Sequence, residues 1–504
     1  MQTISEMIEA AGRYAPDRIA IISEEGRTTY KELNEGINKL ANGLIGLGIK
    51  RGDFVMTLIP NSLRFIIAHY AIIKAGATVV PLNVMYKTHE ISYIGQDSGA
   101  CAMIADADLW DGSASVRDEL PALRHVIISK GPAVNGTATL DAVFSDLETA
   151  PAVASELDDI VCVIYTSGTT GRPKGATQTH RSIFSNVIGI SVDHKFTRDD
   201  RMVCGLPMYN NFALSNVITP AIFMGATVIV IDRFDARKVL DAIKEHGGTY
   251  FPGVPTMFSY LLQEYKRGYD DVSTLRVVNS GGAHCPGELV RQIEETFGVR
   301  FMHNYGHTEA CGPTTLSPYI GIRKENSVGT PSNCLVKIFD DNDDEVPIGR
   351  TGEIVERGDI FSIHGYFKRP EINAEAYREG WFHTGDLGYV DQDGYLYVTG
   401  RKQDLIITGG QNIYPAEVED ALYTHPKVAL AAVIGIPDKD KGELAKAYIV
   451  LKEGQTATEQ EIIDYVRNCI AKFKAPRYVE FVESLPQGPT GKILKRELKE
   501  MVKK

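Results

Sequence analysis

The chain has 504 residues, 43% of them hydrophobic and 23% charged, which is too long for one ordinary domain and typical of a globular protein with a sizeable core. Its 53 basic against 65 acidic residues leave a formal charge of -12, which argues against a general nucleic-acid binder but not against small anionic ligands at a local basic patch. Seven widely spaced cysteines without a C-x-x-C pair point away from a disulfide framework or a zinc site. The N-terminus lacks the basic-then-apolar run of a signal peptide, no stretch approaches the roughly 20 apolar residues of a membrane span, and a cytoplasmic location is expected.

Along the chain, Thr29-Tyr30-Lys31-Glu32 is a capping box, and Leu33, Ile37, Leu40 and Leu44 follow at helical spacing. Residues 53–59 read as a buried strand, 65–74 as a helix and 77–81 as a strand. This alternation predicts a parallel α/β sheet, and further strands are expected at 160–164, 227–231 and 276–279. From about residue 330 short strands and turn signals, at 340–344 and 391–394, predict a β-rich subdomain. After Gly400 the pattern becomes a compact α+β unit: helix 415–422, strands 428–434 and 445–451, helix 459–472. The expected fold class is therefore α/β, with a large N-terminal domain over 1–402 and a small C-terminal α+β domain over 403–504.

The segment Tyr165-Thr166-Ser167-Gly168-Thr169-Thr170-Gly171-Arg172-Pro173-Lys174-Gly175 directly follows an apolar strand. Glycines let backbone N–H groups approach a phosphate, hydroxyls add donors and Lys174 supplies a point charge. Pro173 stands where a Walker A loop needs glycine, so this is a phosphate loop of another kind. Three further segments hold polar groups in glycine-rich settings: Gly281-Gly282-Ala283-His284, Asn304-Tyr305-Gly306-His307-Thr308-Glu309 and Thr384-Gly385-Asp386. Taken alone, each reads equally well as a turn or a surface decoration. Near the end, Pro489-Thr490-Gly491-Lys492 sets a lysine in a tight turn within a basic tail.

In this order, and over nearly the whole chain, these motifs resemble the acyl-adenylate-forming enzymes: acyl-CoA synthetases, aryl-CoA ligases, luciferases and the adenylation domains of peptide synthetases. Gly365-Tyr366-Phe367-Lys368-Arg369-Pro370-Glu371 and Gly380-Trp381-Phe382-His383-Thr384-Gly385-Asp386 are most similar to bacterial fatty-acid–CoA ligases. The resemblance implies ATP, Mg²⁺ and coenzyme A as co-substrates and cofactor, a small carboxylic acid as substrate, and room for a homodimer. It assigns Thr166, Ser167, Gly168, Thr169, Thr170 and Lys174 to the triphosphate. Gly282, Ala283, His284, Asn304, Tyr305 and Gly306 go to the adenine side, Thr308 to the α-phosphate, Glu309 to Mg²⁺, and Asp386 with Arg401 to the ribose. Lys492 would neutralise the attack of a carboxylate on a polyanion.

The resemblance further implies that the C-terminal domain is mobile: it presents Lys492 for adenylation, then turns so that Gly409 and Gly410 line a tunnel for the thiol arm. Gln403 occupies the pivot, where relatives carry Asp or Lys, and is expected to cap nearby backbone. Asn210, in Pro207-Met208-Tyr209-Asn210-Asn211, stands where relatives often place a histidine. Tyr209, Asn210, Val254 and Gly306 are expected to line the acid pocket, with Phe212, Phe251, Pro252 and Met257 near it. A bulky aromatic closes this pocket in acetate-specific relatives, so Gly306 implies a deeper one, for a medium- or long-chain fatty acid or an aromatic or cyclic acid. A stand-alone enzyme that loads a carrier protein, a luciferase-like oxidase and a non-catalytic nucleotide-binding relative share the same motifs.

Overall fold

A computed structural model describes residues 1–134, 136–166, 172–488 and 492–502. Thr29 caps the helix Tyr30–Gly46 through the expected reciprocal bonds with Glu32, and Leu33, Ile37, Leu40 and Leu44 are all buried. The strand Phe54–Leu58, helix Leu63–Lys74 and strand Thr78–Pro81 follow. The two strands pair in parallel, as their connection through one helix allows.

Four sheets organise the described residues. One has seven strands in the order Ala138–Thr139, His125–Ile128, Ala102–Ala105, Phe54–Leu58, Thr78–Pro81, Ile160–Thr166, Lys174–Thr179. All its neighbours are parallel except the last pair. A nine-stranded sheet holds Val277–Ser280 and Arg300–His307 as parallel neighbours, with Arg300–His307 then turning back antiparallel onto Gly312–Leu316. An apolar core spans both sheets, including Val55, Val79, Met202 and Val228.

The third sheet is antiparallel and includes Leu335–Phe339, Gly352–Arg357, Trp381–Val390 and Leu396–Arg401, the expected β-rich region. From Arg401 the chain passes through a single 3-10 turn, Lys402–Asp404, into Ile406–Thr408 of the fourth sheet. That sheet carries the long hairpin Val428–Asp438 and Gly442–Leu451, covered by the helices Pro415–Tyr423 and Glu459–Cys469. The second of these was expected to reach Lys472. It stops at Cys469 because Ile470 turns extended, with φ -132° and ψ 173°, and packs against the apolar core of this region. No described helix is long and apolar enough to cross a membrane.

Candidate active site

The hairpin of Ile160–Thr166 and Lys174–Thr179 pairs Thr166 with Lys174, so the expected phosphate loop is a connection clamped at its base. Ser167, Gly168, Thr169, Thr170 and Gly171 lie outside the described residues. The base is well braced. Tyr165 donates to Asp97 Oδ2 at 2.7 Å, Arg369 holds the other oxygen of Asp97 at 2.6 Å, and Tyr93 donates to the carbonyl of Pro173 at 3.0 Å. The outer edge of Lys174–Thr179 takes backbone bonds from the segment that carries Tyr366. Lys174 Nζ lies 5.6 Å from the centroid of the Tyr366 ring, and the Tyr366 hydroxyl donates to Glu309 Oε1 at 2.6 Å. The expected phosphate lysine and the expected metal carboxylate therefore meet at one tyrosine.

Glu309 sits in the short turn Thr308–Ala310 that ends the strand Arg300–His307. Burial pushes its carboxyl up, but the adjacent His307 outweighs this and holds it below the usual carboxylate range. Its side chain is 14% exposed, and Oε2 lies 3.6 Å from His307 Nδ1, beyond hydrogen-bond distance. A half-buried, ionised carboxylate with uncommitted lone pairs suits Mg²⁺, a hard cation that commonly takes one or two carboxylates beside substrate phosphates. His307 donates through Nε2 to Glu356 at 2.6 Å, and Glu356 also accepts from Thr314 at 2.7 Å. Burial alone would lower the His307 imidazole, yet Glu356 and Glu309 push it up to about 10.

Two residues earlier, Tyr305 donates to Asp386 Oδ2 at 2.8 Å; burial and then the Asp386 charge push the Tyr305 phenol far above its ordinary value. Asp386 is aimed there by an irregularity. The pairing of Gly352–Arg357 with Trp381–Val390 shifts register between Glu353 and Val355, and Gly385 takes φ +72° where the strand bends. Bulges of this kind re-aim a side chain at the edge of a sheet. Across the next ladder Asp386 faces Arg401, with Nε 3.4 Å from Oδ1.

Lys492 comes to the same place from the far end of the chain. Residues 489–491 lie outside the description, and Gly488 donates to the carbonyl of Lys492 at 2.8 Å. Surrounding protein and then the Arg401 charge pull the Lys492 ammonium down to about 8, while Asp386 pulls it back. The residue nonetheless stays open to solvent.

On the other side, Asn304 Nδ2 donates to Asn279 Oδ1 at 2.5 Å and to Asn216 Oδ1 at 3.1 Å. A Cβ on Gly281 would lie 1.8 Å from Asn304 Oδ1, so that glycine is required by the approach. Gly282 and Ala283 are exposed. His284 reaches away from this cluster and pairs through Nε2 with Asp420 Oδ1 at 2.6 Å, on the helix Pro415–Tyr423. Gly306 also has a nearer reason than pocket depth: a Cβ there would lie 2.1 Å from the carbonyl oxygen of Gly312, so backbone approach across the hairpin requires the glycine. Asn210 caps the short helix Asn211–Ala213 by accepting from Phe212 N–H at 3.2 Å. Tyr209 is half-buried, while Val254 and Met257 are buried in the apolar core, and Phe251 packs edge-on against Phe258.

Gly409 and Gly410 form the two-residue turn between Ile406–Thr408 and Gln411–Ile413, both with positive φ, +56° and +80°, the type I′ geometry that favours glycine. Gln403 is exposed and its side chain makes no hydrogen bond among the described residues, so the expected backbone cap is absent. Sequence reasoning did not single out His307, Glu356, Tyr366 or Gln178. His307 had a signal, standing between two assigned positions, and Glu356 a weaker one, as an acid ending the apolar run Ile354-Val355.

This clustering of a loop base, a half-buried carboxylate suited to Mg²⁺, a tyrosine–aspartate–arginine group and a remote lysine defines an enzyme that works on a nucleotide phosphate. Residues 8–367 match the family described as AMP-binding enzyme, and residues 417–492 match the AMP-binding enzyme C-terminal domain. The chain belongs to the AMP-binding enzyme family. It is 37% identical to a feruloyl-CoA synthase of an Amycolatopsis species over 97% of this chain and 96% of that one. It is 35% identical to a long-chain-fatty-acid–CoA ligase of Mycobacterium tuberculosis over 99% and 98%. Among solved structures, an anthranilate CoA ligase in complex with anthranoyl-AMP superposes with a TM-score of 0.93 at 27% identity, covering 99% of this chain and 97% of that one. Within the family the chain is an AMP-forming acid–thiol ligase that uses ATP, Mg²⁺ and CoA.

Proposed function

We propose that this ligase activates an aromatic or fatty acid, first as its acyl-adenylate and then as its CoA thioester. The observation that carries this reading is the convergence of Lys492 on Asp386 and Arg401, which are 106 and 91 residues earlier in the chain. In the first step the acid carboxylate attacks the α-phosphorus of ATP, a P–O bond forms, and the bond to the β-phosphate breaks to release pyrophosphate. Lys492 neutralises charge between the two anions, Thr308 binds the α-phosphate, and Lys174 with the loop from Thr166 holds the outer phosphates. Asp386 accepts from the ribose hydroxyls beside Arg401, and Tyr305 is held by Asp386 against the base. Glu309 would hold Mg²⁺, whose charge offsets that of the phosphates. In the second step the CoA thiolate attacks the acyl carbonyl and AMP leaves with the bonding electron pair.

We also place the chain's pivot at Gln403, between regions 1–402 and 403–504, with Gly409 and Gly410 lining the thiol approach. A cytoplasmic setting is supported by seven unpaired cysteines, as a reducing compartment favours. The test is pyrophosphate and AMP release over a panel of fatty and aromatic acids with CoA, with a holo-carrier protein, and with neither. Acid-dependent AMP and acyl-CoA together support the reading. Acid-dependent pyrophosphate with transfer only to the carrier replaces CoA as acceptor, and no AMP with any acid overturns the reading.

A further inference from the structure

Next to the turn Thr308–Ala310 lies a cavity of about 10 Å³, the space of roughly one water molecule or one oxygen substituent. Its wall includes Gln178, Asn211, Ser215, Thr219, His69 and Cys311. Two of these are chain neighbours of expected site residues: Asn211 follows the expected pocket residue Asn210, and Cys311 follows the turn Thr308–Ala310. Gln178 Nε2 also approaches the carbonyl of Thr308 at 3.4 Å.

The polar groups here are unusually buried and incompletely paired. Gln178 is 2% exposed and Asn211 6%. Gln178 Nε2 donates to Asn211 Oδ1 at 2.7 Å, leaving Asn211 Nδ2 and Gln178 Oε1 without a partner among the described residues. Ser215 Oγ accepts from Asn216 at 2.9 Å, which leaves its hydroxyl proton to donate elsewhere. His69 Nδ1 is buried and unbonded as well. Gln178 and Asn211 both line the cavity, so a guest offering both a donor and an acceptor would match these free amide ends. Among the described residues no charged group lines the cavity, since burial drives His69 down to about 3 and leaves it neutral. A second carboxylate or an ammonium would therefore be buried without a counter-ion.

We propose that Gln178, Asn211 and Ser215 are specificity-determining residues that recognise one neutral oxygen, a hydroxyl or carbonyl, on the body of the acid. This rests on the placement of the acid beside Thr308 and Asn210 proposed above. It makes an oxygen-bearing acid the substrate class, whether the carbon frame is aromatic or aliphatic, and it uses the polar wall that a purely hydrocarbon chain would leave unmatched.

The experiment compares kcat/KM for acid-dependent pyrophosphate release by the full chain. Aliphatic and aromatic acids are each paired with a counterpart lacking one hydroxyl or carbonyl oxygen. The expected result is a preference of about tenfold or more for the oxygenated member of at least one pair, because sites built to bond a hydroxyl reject its absence strongly. In the double variant Gln178→Leu/Asn211→Leu, which removes both partners of the amide pair together, that preference should fall to about threefold or less. The loss should fall more heavily on the oxygenated member than on the hydrocarbon one, so the ratio of their kcat/KM values is the readout. Ser215→Ala gives a second reading of the ratio should the double variant fold poorly. Robust turnover of both members of every pair with equal kcat/KM, as a water-filled structural cavity would give, overturns this proposal and leaves the adenylation reading standing. An unchanged preference in folded variants also overturns it, and no turnover of any acid overturns both.

Discussion

His307 divides its imidazolium between two carboxylates, Glu356 and Glu309, and so holds the metal-type carboxylate ionised inside the protein. Glu356 is fully buried, at 0% exposure, and removing the cation leaves it facing Glu309 uncompensated. His307→Gln is expected to destabilise the fold by about 3 kcal/mol, the cost of stripping one partner from a buried ion pair. The pH dependence has a fixed sign. Folding raises this pKa from 6.5 to about 10, so the stabilisation is fully present below about 6.5 and is lost as pH rises through about 10. Urea denaturation of both proteins across that window should show the gap between them closing at the alkaline end. A gap that stays constant with pH would mean that His307 packs there as a neutral ring.

Lys492 makes a second prediction at this scale. With an ammonium pulled down to about 8, the protonated form needed between carboxylate and phosphate declines as pH rises through that value. The kcat/KM of adenylate formation, which reports the free enzyme, should fall above it. Lys492→Arg, whose charge does not titrate there, should remove that limb. Lys492→Ala should slow adenylation by roughly 10²-fold or more, while thioester formation from supplied acyl-adenylate changes much less. Single-turnover measurements of the two half-reactions decide this, and equal losses in both would remove Lys492 from the proposed role.

At the scale of elements, what could be read in advance depended on how local the cause was. The helix Tyr30–Gly46 was legible because its capping box and its apolar stripe both lie within its own residues, and the strand Phe54–Leu58 because apolar runs between turns have few other uses. Asp386 was legible only as part of a motif, since its aim comes from a register shift against Gly352–Arg357, which no local pattern encodes. The partnership of His307 with Glu356 spans 49 residues and was invisible for the same reason. Gly306 has a second cause that no local pattern shows: the backbone of Gly312, across the hairpin, leaves no room for a Cβ. Gly409 and Gly410 show the opposite ambiguity, because a type I′ turn and a passage for a thiol arm both call for glycine. Gly410→Asn separates them. Asparagine tolerates positive φ and nothing lies within 4 Å of a Cβ at this position, so the turn should survive. Adenylation should stay within about twofold, while transfer to CoA slows by about tenfold or more if the arm passes here. Full retention of CoA transfer would leave the turn as the whole reason for the glycine.

For the molecule as a whole, the contact between His284 and Asp420 ties the strand end after Val277–Ser280 to the helix Pro415–Tyr423 while Lys492 lies beside Asp386. In the proposed two-step cycle the C-terminal region must leave this arrangement before the thiol can approach, so the pair favours the first half-reaction over the second. Burial lowers the His284 imidazole, but Asp420 outweighs it and the net shift is upward; Glu419 adds to the rise and Lys495 opposes it. The contact is therefore strongest below the ordinary histidine range and weakens as pH rises through the raised pKa. Both side chains keep about a third of their surface in solvent, 30% and 32%, which limits the pair to about 0.5–1 kcal/mol. Asp420→Asn should accordingly slow adenylate formation by about two- to fivefold at mildly acidic pH, with the deficit shrinking as pH rises. Thioester formation from supplied acyl-adenylate should be unchanged or faster, because the arrangement that competes with it has been weakened. The two rates measured in single turnover at several pH values give the answer: a loss shared equally by both steps would mean that the pair supports the fold and does not choose between its arrangements.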